Sequence, residues 1–237
     1  MTNDAEAVES IEGSSAVLLT CEHASERVPS GFRWPEADAW LRGTHWAFDL
    51  GAAALCRELA ASLAAPALLS RFSRLLVDPN RPEDSDTLFR DTAEGRPVHM
   101  NRDIDASERR RRLERLYRPY HRAVAGAMPG KAFAFSVHSF TPLYEGQPRE
   151  LEVGVLFDEE EARAAELLGA LREAGYRSAP NEPYSGKRGL MYCVDHHGRE
   201  AGVPALEIEV RQDLLADERW RAGLVDTLTP VLRAFAA

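Results

Sequence analysis

The chain has 237 residues, long enough for one substantial hydrophobic core. Its 38 acidic against 29 basic residues leave a net charge of −9, which argues against nucleic acid as the main partner. No run approaches the roughly 18 unbroken apolar residues of a membrane span, and the widely spaced Cys21, Cys56 and Cys193 fit a reducing cytoplasm better than a disulfide framework or a cysteine-based zinc site.

Residues 1–15 are acidic and rich in small side chains, with neither a basic start nor an apolar stretch, and read as a flexible leader rather than a signal peptide. Residues 16–237 are expected to form one domain, because no repeat or long Gly/Ser/Pro linker divides them. Residues 16–20 read as a short buried strand and residues 48–64 as an Ala/Leu-rich helix. Residues 66–70 read as a strand and residues 73–77 as another extended piece. Residues 79–105 form a long polar loop of the kind that is usually functional or mobile.

Residues 107–128 predict a helix capped by Ser107, with Glu108 in its first turn. The four arginines from Arg109 to Arg112 read as a solvated face with local ion pairs. Strands follow at residues 132–137 and 151–157, then a helix over 159–174 ended by Gly175. A late strand over 205–210 and a closing helix over 217–236 complete the chain. This alternation predicts an α/β fold: a single three-layer domain, phosphorylase/hydrolase-like, with a mostly parallel or mixed central sheet and helices on both faces.

Four polar groups fall at strand ends or inside strand patterns, where burial without purpose is costly. The first is Cys21-Glu22-His23-Ala24-Ser25-Glu26, whose His-x-x-Glu spacing suits a pair of zinc ligands in a loop leaving a central strand. The others are His138-Ser139, the segment Asp78-Pro79-Asn80-Arg81, and Glu207-Ile208-Glu209-Val210-Arg211. In the last, alternation places three charged side chains on one face of a strand. Tyr117 and His121, one helical turn apart, share a face suited to orienting other groups. His196-His197-Gly198 reads as a loop feature able to contact a substrate.

Thr20 to Pro29, Ser73 to Pro82, Tyr117-Arg118-Pro119-Tyr120-His121 and Val137-His138-Ser139 together resemble the N-formylglutamate amidohydrolase family, in order from about residue 16 to residue 213. More distantly the pattern is similar to the zinc carboxypeptidase and acylase fold. The resemblance implies a cytoplasmic metal-dependent amidohydrolase that removes an N-formyl or short N-acyl group from a small acidic amino acid. It implies one zinc ion on His23, Glu26 and His138, with Asp49 of His45-Trp46-Ala47-Phe48-Asp49 competing for the third ligand position. Asp49 could instead orient a ligating histidine or cap its own helix.

Glu209 is the implied general base with Arg211 beside it, and Glu207 or Glu22 stand next in line. Asn80 and Arg81 would bind a substrate carboxylate. Arg74, Arg81, Arg211 or the zinc would stabilise the oxyanion. Arg74 counts with the substrate-binding groups, because several guanidinium groups suit a dianionic amino acid. Lys187 and Arg188, in a glycine-flanked loop, could close over that anion. The competing readings are a carboxypeptidase-like or other N-acyl-amino-acid hydrolase, and a metal-free protein that binds acidic metabolites.

Overall fold

A computed structural model describes residues 4–144 and 146–237. Short 3-10 turns aside, the chain runs through β1 (Val8–Ile11), β2 (Val17–Cys21), α1 (Ala52–Leu63) and β3 (Ala67–Ser70). The hairpin β4 (Thr92–Ala93) and β5 (Arg96–Pro97) follows, then α2 (Ala106–Arg112), a π-turn over Leu113–Tyr117, and α3 (Arg118–Ala127). Next come β6 (Phe133–Phe140), the hairpin β7 (Leu143–Tyr144) and β8 (Gln147–Pro148), and β9 (Val153–Leu156). The chain ends through α4 (Glu161–Glu173), β10 (Ser178–Pro180), α5 (Tyr192–Ala201), β11 (Ala205–Arg211), α6 (Gln212–Leu215) and α7 (Glu218–Phe235).

Seven strands form one mixed sheet in the order β1-β3-β2-β6-β11-β9-β10. Its middle, β3-β2-β6-β11, is parallel, while β1 and β9 run antiparallel to their neighbours β3 and β11. The alternation of side chains in the central strands gives the two faces opposite characters. Val17 and Leu19, Phe133, Phe135 and Val137, and Leu206, Ile208 and Val210 pack in one apolar cluster beneath α1, α4 and α7. The residues between them point to the other face, under α3 and α5. There Thr20 pairs in register with Ser136, Ser136 with Glu207, and His138 with Glu209. A polar stripe therefore crosses the C-terminal ends of three parallel strands, where open α/β sheets place their sites.

Several elements depart from the sequence reading. Residues 8–11, expected in a flexible leader, instead pair antiparallel with β3 and form a sheet edge. Residues 1–3 of that leader lie outside the described residues. Residues 73–77 form turns instead of an extended strand, because Ser73 is tied to two distant loops, its N–H donating to Arg27 O and its hydroxyl to Ala47 O, while the Leu76 N–H closes a turn on Ser73 O. The helix expected over 107–128 contains the π-turn just before Pro119. That proline has no N–H to give the preceding turn, and the wider turn absorbs the loss. β6 continues to Phe140, so His138 lies inside the strand and not at its end. Residues 192–201, which include His196 and His197, are helical.

The arginine run is also more than a solvated face. Arg112 is buried and donates to Leu76 O, Met100 O and Asn101 Oδ1, clamping both ends of the long loop, while Glu108 accepts from its Nε. Arg111 keeps the expected local pair with Glu108.

Candidate metal and substrate site

His23 follows β2 by two residues, and His138 stands on the neighbouring β6. Their rings meet edge to face with centroids 4.7 Å apart. Asp49 comes between them from the turn before α1. Its N–H donates to His23 O at 2.9 Å, which ties that turn to the β2 loop. Gly51, at φ +82°, lets the chain turn immediately into α1; a Cβ there would lie 2.4 Å from Leu215 Cβ.

Three donor atoms converge. Asp49 Oδ2 lies 2.8 Å from His138 Nδ1 and 3.4 Å from His23 Nδ1, and it also accepts the Ser139 N–H at 3.2 Å. The opposite nitrogen of each ring is held by a different carboxylate. His23 Nε2 donates to Asp78 Oδ1 at 2.7 Å, and His138 Nε2 donates to Glu22 Oε2 at 2.9 Å. A carboxylate on the far nitrogen fixes ring orientation and raises the basicity of the near one, the usual support for metal-bound imidazoles. His23, Asp49 and His138 thus form a buried N/N/O donor set able to hold a divalent metal, and the residues present fit zinc.

The site gathers more carboxylates than cations, and its electrostatics follow from that. Burial works against charge on His138, but the Glu207 charge and the hydrogen bonds to Asp49 and Glu22 outweigh it and hold its pKa well above the histidine range. Burial opposes ionisation of Glu22 too, yet the His138 and Ser136 hydrogen bonds bring its carboxyl down to about 2. Burial drives Glu207 up to about 7 and Glu209 well above the ordinary carboxylate range. Among the described residues Glu209 Oε2 is buried with no hydrogen-bond partner. Glu209 pairs in register with His138 and lines the same pocket as the donor set.

The pocket wall opposite is cationic. Arg74 donates to Asp78 Oδ2 at 2.8 Å and to Asp49 Oδ1 at 3.4 Å, so it braces the carboxylates and its charge is already matched. Arg81 donates to its neighbour's carbonyl, Asn80 O, and Arg90 sits over the Trp46 ring; among the described residues neither is ion-paired. Asn80 is spent on structure: it accepts from Cys193 N, donates to Leu190 O, and reaches Glu207 Oε2 at 3.4 Å. Tyr117 and His121 stack at 4.1 Å and hold this loop from below. The Tyr117 hydroxyl donates to Arg81 O, and His121 Nε2 lies 3.0 Å from Pro79 O.

Three positions expected in the site lie outside it. The Glu26 carboxylate accepts the Gly43 N–H at 2.7 Å in an exposed setting, so the third donor beside the histidines is Asp49. The i+3 spacing carries Glu26 past the end of the strand and away from the sheet. Lys187 lies over Phe157, 3.9 Å from Glu161, and half exposed, so it does not line the pocket. Arg211, one residue pair beyond Glu209 on the strand, binds Asp213 and the carbonyls of Arg149 and Glu150. It tethers the chain entering β9. His197, expected in a loop, is a buried helical partner of His121.

Sequence reasoning missed Arg90, Tyr184 and His45 in the pocket wall, and the task of Asp78 as the carboxylate behind His23. For Asp78 the signal was present, since an acid closing a buried segment needs a partner. Arg90 comes from a loop with no periodicity to place it.

Comparison with known proteins gives a consistent picture. The family described as N-formylglutamate amidohydrolase matches residues 15–216. An N-formylglutamate deformylase of Pseudomonas aeruginosa is 28% identical over 208 residues, covering 74% of this chain and 75% of that protein. A solved gene product of Agrobacterium tumefaciens is 31% identical with a TM-score of 0.90, covering 99% of this chain and 96% of that one. The crystal structure of an N-formylglutamate amidohydrolase from Ralstonia eutropha shares the fold at 21% identity and a TM-score of 0.74, over 98% and 97% of the two chains.

Proposed function

The chain belongs to the N-formylglutamate amidohydrolase family, and from that premise we propose that it is a zinc-dependent enzyme hydrolysing the formamide bond of N-formylglutamate. The observation that carries this reading is the convergence of His23 Nδ1, His138 Nδ1 and Asp49 Oδ2 beside Glu209 Oε2, which has no hydrogen-bond partner among the described residues. His23, Asp49 and His138 would hold the ion, which when bound supplies Lewis acidity at the scissile carbonyl and lowers the pKa of water.

The remaining chemistry falls to the chain. Glu209 Oε2 takes a proton from the attacking water; burial has already made it a stronger base than an exposed carboxylate. The water oxygen forms a bond to the formyl carbon, the C–N bond breaks, and Glu209 returns the proton to the leaving nitrogen. The second water proton passes from the formic acid so formed to the amine, giving formate and glutamate with atoms and charge balanced. Arg81 and Arg90 bind the two substrate carboxylates, and Arg74 keeps Asp49 and Asp78 aligned. Glu22 and Asp78 keep both histidine rings turned toward Asp49.

A second reading, a larger N-acyl group on the same amino acid, is favoured by one observation. The pocket continues past His45, Trp46, Arg90 and Tyr144 into a groove between the β4–β5 and β7–β8 hairpins. Among the described residues no helix is long and apolar enough to cross a membrane, and the three cysteines are buried and unpaired, which supports a cytoplasmic setting. Measuring turnover of N-formylglutamate, N-formylglutamine and N-acetylglutamate side by side tests the assignment. Fastest release from N-formylglutamate is expected, and equal turnover of all three contradicts it.

A further inference from the structure

A second group of metal-type donors converges on the helix side of the sheet, between α3 and α5. Cys193 and His197 are four residues apart on α5 and so share one of its faces, and His121 on α3 meets them. His121 Nδ1 lies 2.8 Å from His197 Nε2, and one ring nitrogen of each histidine lies within 4.8 Å of Cys193 Sγ. All three residues are buried.

Proton placement in this group is informative. His121 Nε2 faces Pro79 O, which can only accept, so the ring carries its proton there and presents a lone pair at Nδ1. His197 Nε2 must then donate to that lone pair. This choice leaves His197 Nδ1 bare and buried, and among the described residues it has no hydrogen-bond partner. Glu200 Oε2 stands 3.5 Å from that nitrogen, an acceptor facing an acceptor. Moving the proton to Nδ1 resolves the mismatch, because Glu200 then receives a donor. The price is two lone pairs, on His121 Nδ1 and His197 Nε2, aimed at each other beside a thiol. A cation between them resolves that second conflict.

We propose that His121 Nδ1, His197 Nε2 and Cys193 Sγ form a second, buried transition-metal site, separate from the His23–Asp49–His138 set, for a borderline-soft ion of the Zn²⁺ or Cu⁺ kind. Two imidazoles and one thiolate are the donors such ions prefer. Each imidazole has an acceptor behind it, Pro79 O for His121 and Glu200 for His197, repeating the arrangement behind His23 and His138. On binding, the S–H bond breaks, sulfur keeps the electron pair and bonds the metal, and the proton leaves to solvent. No oxidation is involved. Burial, with the charge and hydrogen bond of the nearby Glu22, raises the Cys193 thiol well above its ordinary value. The site would clamp α3 to α5 directly behind the Pro79–Arg81 segment, which Cys193 N also grips through Asn80 Oδ1.

The test uses the full-length protein, stripped of metal, kept reduced and titrated with Co²⁺. The Asp/His set has no sulfur, so a near-ultraviolet thiolate-to-cobalt charge-transfer band reports only the second site. The expected result is two equivalents bound, with the band present in the native chain and in Asp49→Ala. Cys193→Ser should lose the band and one equivalent while keeping the other. Saturation at one equivalent with no thiolate band in the native chain overturns the proposal, and does so without touching the first site, whose own equivalent is still counted.

Discussion

His138 Nδ1 and Asp49 Oδ2 face each other at 2.8 Å, with His23 Nδ1 at 3.4 Å from the same oxygen. Glu26, three residues beyond His23, is instead bound to Gly43 N. Asp49→Ala should therefore weaken metal binding by at least ~10-fold, the scale of losing a group in or around a metal site. Glu26→Ala, a substitution at a partly exposed position, should change binding and turnover by no more than about threefold. Metal titration of both variants by calorimetry checks the assignment, and the reverse ranking returns the ligand role to Glu26.

Glu209→Gln keeps the shape of the side chain and removes its basicity. Turnover should fall by at least ~100-fold with metal content unchanged, as for loss of a general base. Near-native turnover would move the base to Glu207, which also lies beside His138 and is poised at about 7.

Arg81 and Arg90 are the pocket cations without an acidic partner among the described residues. Replacing either by Gln should raise KM for N-formylglutamate by about 10–100-fold, since hydrogen bonds to charged groups contribute about 1.5–3 kcal/mol. With N-formylglutamine as substrate, one of the two substitutions should lose most of its effect, and that one identifies the arginine facing the side-chain carboxylate. Unchanged KM in both variants contradicts the anion-binding role.

Much of this site is legible in the sequence because strands make it so. The period-two alternation of residues 205–211 puts Glu207 and Glu209 on one face, and the polar interruption of an apolar run marks His138. His23 is marked the same way by the end of β2. What fails is what spacing cannot encode. Glu26 follows His23 at a ligand-like interval, but the chain turns outward after Ala24, whose N–H is held by the Ser70 hydroxyl. Asp49 stands in the sequence only as the rival to Glu26 that the family resemblance implies, because it reaches the site through a turn set by Gly51, a tertiary fact with no local period. Arg211 obeys the alternation and still misses, because at the strand end Asp213 and the carbonyls of Arg149 and Glu150 hold it. α5 escapes notice since Gly198, Asp195 and two histidines dilute its helical pattern; Gly198 is there because a Cβ would lie 2.7 Å from Val203 O. β1 is short and half polar, and only its pairing with β3 makes it a strand.

The loop that carries Arg81 and Arg90 is anchored by Arg112, which Glu108 holds in turn. Burial raises the Glu108 carboxyl, but the Arg111 and Arg112 hydrogen bonds outweigh that and lower it. A group with a lowered folded-state pKa stabilises above its unfolded value, near 4.3, and loses that contribution as pH falls through the folded value. Because Glu108 is partly exposed, the effect is about 1 kcal/mol. Glu108→Gln should lower Tm at pH 7, with the difference closing in acid below about pH 4. A gap that widens on acidification contradicts the assignment.

Hydrolysis should depend on an ion held by His23, Asp49 and His138. That dependence is tested most directly by measuring formate release from N-formylglutamate with the protein stripped of metal and then reconstituted with zinc. Release should fall to background on stripping and return with zinc in the native chain, while Asp49→Ala stays inactive after the same treatment. Undiminished release by the metal-free protein would contradict the account.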